Sequence, residues 1–299
     1  MPGVSRKTSA ISLPAVFGGD QVSVIEFEEG TIAFEDSGKS TSGKTFYCLP
    51  GIGDFRHTFR FLAPRLAASG HRVICQDLRG VGDSSTTFKS FTIEDCARDV
   101  AAVLDALEIN TRIVLLGNSM SAAVSVSVAT NHPDRVEAIV TTGGFFRDLP
   151  SSPYFNLLTP ILFNGLWGQP VWVSFFRGLF GRPPADLDAY CAAVKAKMNA
   201  DTKHSNVLGA MMRSSKNISW AKIADLKCRL LLINGSKDPD FTDPVAEVEF
   251  VAGHMRTESH NLAVVSTKII EGAGHYPHNE AVDETYAAII EKACLANPG

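Results

Sequence analysis

The chain carries a hydroxyl, a carboxylate and an imidazole in settings suited to nucleophilic attack on a carbonyl. Ser119 stands in Gly117-Asn118-Ser119-Met120-Ser121, between the apolar run Ile113–Leu116 and a stretch of helical character. A serine on such a strand-to-helix turn is held at a sharp bend with its hydroxyl presented outward. Asp238, in Asn234-Gly235-Ser236-Lys237-Asp238-Pro239, and His275, after Gly272-Ala273-Gly274, each follow a later apolar run. An alcohol attacks at neutral pH only when a base takes its proton, and His275 is the expected base. A buried carboxylate orients the imidazole and stabilises the imidazolium, the role expected of Asp238. Asp240 and Asp148 are rival carboxylates, and His278 is the rival imidazole. A plain surface turn is the bland reading of Ser119, because Ser121 stands where the motif usually has glycine.

These turns need a scaffold that brings them to one place. Val22 to Glu28 and Thr31 to Glu35 alternate apolar and polar around Glu29-Gly30, the pattern of an antiparallel hairpin. Thr45 to Leu49 and Arg72 to Gln76 are short apolar runs with a helical stretch from about His57 to Ala68 between them, which predicts a βαβ unit. Thr92 is placed to cap a helix reaching about Leu107, with Asp95 completing the cap. A helix from about Met120 to Asn131 and a strand from Val136 to Thr141 continue the alternation. It then stops: from about Arg147 to Lys222 the chain is rich in Phe, Trp, Leu and Pro, then in Ala and Met at helical spacing, and reads as an inserted helical cap. Leu230 to Ile233, a helix from Asp243 to about Ala252, Leu262 to Ile270 and a helix from Asp283 to Cys294 resume the rhythm. The expected fold is α/β, a mostly parallel central sheet flanked by helices. Residues 20–146 and 223–299 form the core, 147–222 the cap, and 1–19 a loosely ordered N-terminal arm.

Composition narrows the function classes. Of 299 residues, 45% are hydrophobic and 20% charged, which excludes disordered, collagenous and coiled-coil chains. Lys plus Arg number 28 against 32 Asp plus Glu, without a basic block, so no nucleic-acid partner is expected. Six cysteines without a C-x-x-C pair read as reduced core residues of a cytoplasmic protein. The first nineteen residues lack the apolar stretch and cleavage site of a secretory signal. No formal charge lies between Asp148 and Arg177, but Pro150, Pro153, Pro160 and Pro170 argue against an integral membrane span there.

Two phosphate-binding patterns fail on context. Gly38 to Thr45 satisfies G-x-x-x-x-G-K-[ST], yet that loop works only before a helix, and Thr45 to Leu49 reads as a strand; a flexible hairpin connection is expected instead. Gly51-Ile52-Gly53 begins a dinucleotide fingerprint, but Arg56 occupies the position of its third glycine.

Taken together, Pro50-Gly51-Ile52-Gly53, the run Asp77-Leu78-Arg79-Gly80-Val81-Gly82-Asp83-Ser84, the elbow at Ser119 and the turns at Asp238 and His275 resemble the α/β-hydrolase superfamily, from Val22 to Cys294 with the cap excepted. The chain order Ser, Asp, His is that family's order. The resemblance implies Asp238 rather than Asp240 by register, and His275 rather than His278 by the small residues before it. It also assigns the oxyanion-binding N–H groups to Ile52 and Met120, with Gly51 and Gly53 letting the backbone come close to a substrate. Pro50, Asn118 and Ser121 depart from the common pattern, where His, His and Gly are frequent.

The expected activity is that of an esterase or lactonase acting on a small hydrophobic substrate through an acyl-enzyme, without metal or organic cofactor. Rings such as Tyr154, Phe155, Phe163, Phe175 and Phe180 serve either as cap packing or as the roof of an apolar pocket. Substrate contacts are expected at Gly51, Trp167, Trp172, Phe176 and Tyr276. The Gly-Asn-Ser-Met elbow is also similar to that of hydrolases cleaving C–C bonds of vinylogous diketones. Ser119-Met120-Ser121-Ala122 is similar to the elbow of hydrolase-like ligand sensors that signal through a protein partner. A homodimer is compatible with the sequence.

Overall fold

In a strand, neighbouring side chains face opposite ways, and the central strand Thr45–Leu49 (β4) uses this to serve two cores. Phe46 and Cys48 pack with Leu62 and Leu66 on one face, while Tyr47 and Leu49 pack with Val100 and Val103 on the other. All five of its residues are buried, as a sheet covered on both faces requires. A computed structural model describes residues 3–11, 13–19, 21–40, 43–149, 168–201, 203–259 and 265–294 of this chain.

The strands are Val4–Thr8 (β1), Gln21–Phe27 (β2), Gly30–Asp36 (β3), β4, Arg72–Gln76 (β5), Ile113–Asn118 (β6), Val136–Thr142 (β7), Arg229–Gly235 (β8) and Val265–Ile270 (β9). They form one sheet in the order β1-β2-β3-β5-β4-β6-β7-β8-β9. Pairing is antiparallel from β1 to the β3–β5 contact and parallel from β5 to β9. The helices Leu62–Ala68 (α1), Ile93–Ala106 (α2) and Ser121–Asn131 (α3) fall between successive strands of the first half. Between β7 and β8 come Gly168–Gly178 (α4), Leu187–Ala200 (α5), Lys203–Arg213 (α6) and Asn217–Trp220 (α7), with no strand among the described residues there. Pro244–Glu258 (α8), Pro277–Glu280 (α9) and Val282–Lys292 (α10) complete the chain. The predicted cap of α2 is present: Thr92 accepts from the Asp95 N–H, and the Asp95 carboxylate accepts from the Thr92 N–H at 3.0 Å.

Two expectations are corrected. The N-terminal arm is not loosely ordered throughout, because Val4–Thr8 pairs with β2 as an edge strand. Asp83 anchors the segment: its carbonyl accepts from Lys7 Nζ at 2.6 Å and its carboxylate from Ser9 Oγ at 2.7 Å. The segment before Thr45 is not a hairpin connection either, since β5 lies between β3 and β4 in the sheet. The first part of the predicted strand Leu262 to Ile270 lies outside the described residues. All six cysteines are free; Cys48, Cys75, Cys96, Cys191 and Cys228 are buried, while Cys294 is only half-buried, so the core reading does not extend to it. Among the described residues no helix is long and apolar enough to cross a membrane.

Arg56 has a role that its place in the failed dinucleotide pattern did not reveal. Fully buried, it donates to Glu35 at 2.6 Å, to Asp77 at 2.5 Å and to Asp83 at 3.0 Å. Asp83 also pairs with Lys197 of α5 at 2.7 Å, so the cluster ties the loops after β4 and β5 to the helices between β7 and β8. Removing one partner from a buried ionic cluster strands the remaining charges in a low-dielectric interior. Arg56→Ala is therefore expected to lower unfolding stability by about 3–5 kcal/mol, read as a reduced urea midpoint. A loss below about 1 kcal/mol, the range of exposed ion pairs, contradicts this account.

Candidate active site

β6 ends at Asn118 and α3 begins at Ser121, so the chain must reverse within two residues, and Ser119 does this at φ +55°. Such left-handed backbone costs an L-residue of order 1–2 kcal/mol, and surrounding bonds must hold it. The Ser119 N–H donates to the Thr142 carbonyl at 3.0 Å, and the Ser119 carbonyl accepts from the N–H groups of Ala122 and Phe145, both at 3.0 Å. A side chain at Gly51 would put its Cβ 2.9 Å from Ser119 Cβ, so only glycine admits this approach. Ser121 is buried and donates to the Pro50 carbonyl at 2.5 Å, tying the elbow to the loop after β4 rather than capping α3 or facing a pocket.

The loop after β8 brings Asp238, and the loop after β9 brings His275. His275 Nδ1 and Asp238 Oδ2 are 2.9 Å apart, with both residues buried. The backbone around the imidazole is pinned: its N–H donates to Leu179 O at 2.8 Å, and its carbonyl accepts from Asn118 Nδ2 at 3.2 Å. Asn118 thus links the serine elbow directly to the histidine loop. Gly143, at φ +57°, leaves room for the ring, since a Cβ there would lie 2.7 Å from His275 Nδ1. Ser119 Oγ and His275 Nε2 are each without a hydrogen-bond partner among the described residues, and no bond joins them directly.

The rivals separate by environment. Asp148 is occupied elsewhere, accepting from Ser215 Oγ at 2.5 Å and from the Lys216 N–H at 2.9 Å. His278 sits between the hydroxyls of Thr58 and Thr142, 2.9 Å from each, and burial pushes its pKa well below 6.5, so it is a neutral bridging group. Asp240 lies close to the imidazole, with Oδ2 3.5 Å from Nδ1. Burial alone would push the His275 pKa down, but Asp238 and Asp240 outweigh it and raise the imidazole from 6.5 to about 9. Asp238, Asp240 and His275 are also close enough to converge on a cation. The Asp238 hydrogen bond, however, needs a proton on the same Nδ1 that a cation would need bare.

Ile52 and Met120 flank this region, and their backbone N–H groups donate to no described acceptor. Trp172 lies against Gly53 and donates from Nε1 to its carbonyl at 3.2 Å. Phe176 is fully buried beside Tyr276, ring centroids 5.4 Å apart, and Tyr276 meets His275 edge-on at 5.2 Å. Trp167 lies outside the described residues, as do Tyr154, Phe155 and Phe163. A separate cavity runs from Gly53 and Phe55 to α5 and α6, where Val194, Met198, Leu208 and Met211 make it largely apolar. Its polar members are Lys197, already paired with Asp83, and His204, whose pKa burial lowers.

Sequence reasoning did not single out Glu280. Its carboxylate accepts from the N–H groups of Gly274 at 2.9 Å, Tyr276 at 3.0 Å and Gly181 at 2.7 Å, stapling the histidine loop to the segment after α4. One acid five residues after a histidine carries no pattern that would have revealed this.

Residues 46–288 match the model described as "Alpha/beta hydrolase family". A 2-hydroxy-6-oxononadienedioate/2-hydroxy-6-oxononatrienedioate hydrolase of Escherichia coli is 28% identical over 247 residues, 78% of this chain and 80% of that protein. Among solved structures, a thermophilic esterase from Thermogutta terrifontis superposes with a TM-score of 0.71 at 21% identity, over 96% of this chain and 97% of the other. Est816, described as an N-acyl homoserine lactone degrading enzyme, superposes with a TM-score of 0.68 at 22% identity, over 90% and 99% of the chains.

The raised His275 pKa makes a prediction independent of any reaction. A histidine held at about 9 in the folded chain against 6.5 when free contributes stability that is fully present below pH 6.5 and lost as pH rises through 9. The contribution is about 3 kcal/mol. Urea unfolding compared at either end of that window should show the loss in the wild type and a smaller one in Asp238→Asn. Equal pH dependence of the two proteins would contradict the assignment.

Proposed function

Because this chain belongs to the alpha/beta hydrolase family, we propose that it is a serine hydrolase cleaving a hydrophobic ester or lactone through an acyl-enzyme on Ser119. The observation that carries this reading is the buried 2.9 Å contact between His275 Nδ1 and Asp238, on a loop cross-linked through Asn118 to a serine in left-handed backbone. Ser119 Oγ attacks the carbonyl carbon while His275 Nε2 takes its proton, and Asp238 holds the Nδ1–H and stabilises the imidazolium. The N–H groups of Ile52 and Met120 receive the negative charge that develops on the carbonyl oxygen. The imidazolium then protonates the leaving alkoxide. Water, deprotonated by His275, releases the acid and restores Ser119.

In this reading residues 147–222 form a cap over a core of 20–146 and 223–299. Gly51, Trp172, Phe176 and Tyr276 form the walls around the scissile group. An uncharged substrate is favoured by the rings beside the imidazole, where Tyr276 meets His275 and Phe176 packs on Tyr276, both rings buried. The second reading, hydrolysis of a C–C bond in a vinylogous diketone, is favoured by the likeness to the Escherichia coli hydrolases at 28% identity. A dioate such as those proteins' names specify carries two carboxylates, which the apolar rings beside His275 suit less well.

Ser119→Ala is expected to lower kcat/KM on medium-chain aryl esters by about 10⁴-fold or more with an unchanged circular dichroism spectrum. An unaltered rate removes Ser119 from the nucleophile role. Faster turnover of a vinylogous diketone than of any ester or lactone in the same assay would establish the second reading. The base works only when unprotonated, so kcat/KM should rise with pH, with its midpoint displaced from 6.5 toward about 9.

A further inference from the structure

The turn that carries Asp238 also delivers a second acid to the same imidazole nitrogen. Asp238 Oδ2 stands 2.9 Å from His275 Nδ1 and Asp240 Oδ2 stands 3.5 Å from it. Only the first is a hydrogen bond, yet two unit charges at such separations interact strongly in a partly dry site. The arrangement is built into the backbone, because the Asp240 N–H donates to Asp238 Oδ1 at 3.0 Å and locks the two carboxylates side by side. They differ in hydration: the Asp240 side chain is 19% exposed while that of Asp238 is fully covered. Water can thus reach the outer acid of the pair.

The other groups around the ring leave the second acid without an alternative partner at Nδ1. Glu280, on α9, has its carboxylate engaged by the N–H groups of Gly274, Tyr276, Gly181 and Arg182. His278 is held neutral between two threonines. Tyr276 and Phe145 present rings, with centroids 5.2 Å and 6.0 Å from that of His275.

We propose that Asp240 is a positioning residue of the catalytic machinery: a second carboxylate at His275 Nδ1 that stabilises the imidazolium alongside Asp238 and accepts the Nδ1–H when Asp238 is absent. Its effect on rate rests on the serine hydrolase reading, while its effect on the imidazole does not. As base, His275 must be neutral to accept the serine proton, and once protonated it is stabilised by both acids. Asp240 therefore lowers the neutral fraction at pH 7 and, in return, stabilises the charge that forms during attack. A merely structural acid does neither.

The test uses the full chain with labelled histidine, the His275 resonance being identified by its loss in His275→Gln. In a Ser119→Ala background, NMR titration should show Asp240→Asn lowering the His275 pKa by about one unit or more, and Asp240→Glu restoring it. With Ser119 intact, the acid limb of kcat/KM should move down by the same amount in Asp240→Asn. That variant should be slower at the alkaline plateau, yet closer to its own plateau at pH 7 than the wild type is to its own. Asp238→Asn should retain about tenfold or more activity over Asp238→Asn/Asp240→Asn. An unmoved His275 titration in a folded Asp240→Asn, or a double variant no slower than Asp238→Asn, overturns the proposal. So does a titration shift that disappears on adding EDTA, which would make the cluster a cation site. Turnover surviving Ser119→Ala would sink the serine reading alone, because the titration still reports on Asp240.

Discussion

Ser119 occupies backbone that an L-residue avoids, and the site depends on the bonds that hold it there. The Thr142 carbonyl at the end of β7 accepts from the Ser119 N–H at 3.0 Å and from Asn118 Nδ2 at 2.8 Å. The same Asn118 nitrogen reaches the His275 carbonyl at 3.2 Å. One strand end thereby fixes the bend, and one side chain carries that position across to the histidine loop. Strain at a bend persists only where its surroundings over-determine it, and here three loops and a strand end do so.

The parallel sheet makes that convergence possible. Parallel strands deliver the loops after β4, β6, β7, β8 and β9 to one edge of the sheet, at the strands' carboxyl ends. A second, ionic anchor lies away from the imidazole. Arg56 ties the loop after β4 to the acids of the run after β5, and Asp83 extends the tie to Lys197 of α5 and to the N-terminal strand. The run Asp77 to Ser84, which entered the family resemblance as a motif, acts here through charge pairing. Asp77 and Asp83 hold Arg56, while Arg79 makes a two-pronged contact with Asp99 at 2.8 and 2.6 Å.

Two histidines three positions apart show how environment divides roles. Both are buried, and burial alone would push each pKa down. His275 faces two carboxylates and is raised to about 9. His278 faces two hydroxyls, which offer no countercharge, and so stays neutral as a bridge. The acids beside His275 come from a turn 37 residues earlier in the chain, so the distinction belongs to the packed molecule.

What the sequence determined is what short-range chemistry writes down. The Thr92–Asp95 cap, the hairpin around Glu29-Gly30, the alternation of strands with helices and the elbow at Ser119 depend on residues within a few positions of one another, and each leaves a local pattern. The placement of Ser119, Asp238 and His275 after β6, β8 and β9 was legible for the same reason, since each lies on the turn or loop that follows its own strand. The tertiary structure alone decided the rest. The β1 segment is exposed at four of its five residues, so no apolar period announces it; pairing with β2 and the bonds to Asp83 make it a strand. Arg56 with Asp77, Ser121 with Pro50, and Asn118 with His275 join residues 21, 71 and 157 positions apart. A side chain's partner across such distances is fixed by how the sheet stacks its loops, and that stacking is a property of the whole packed chain rather than of any window along it.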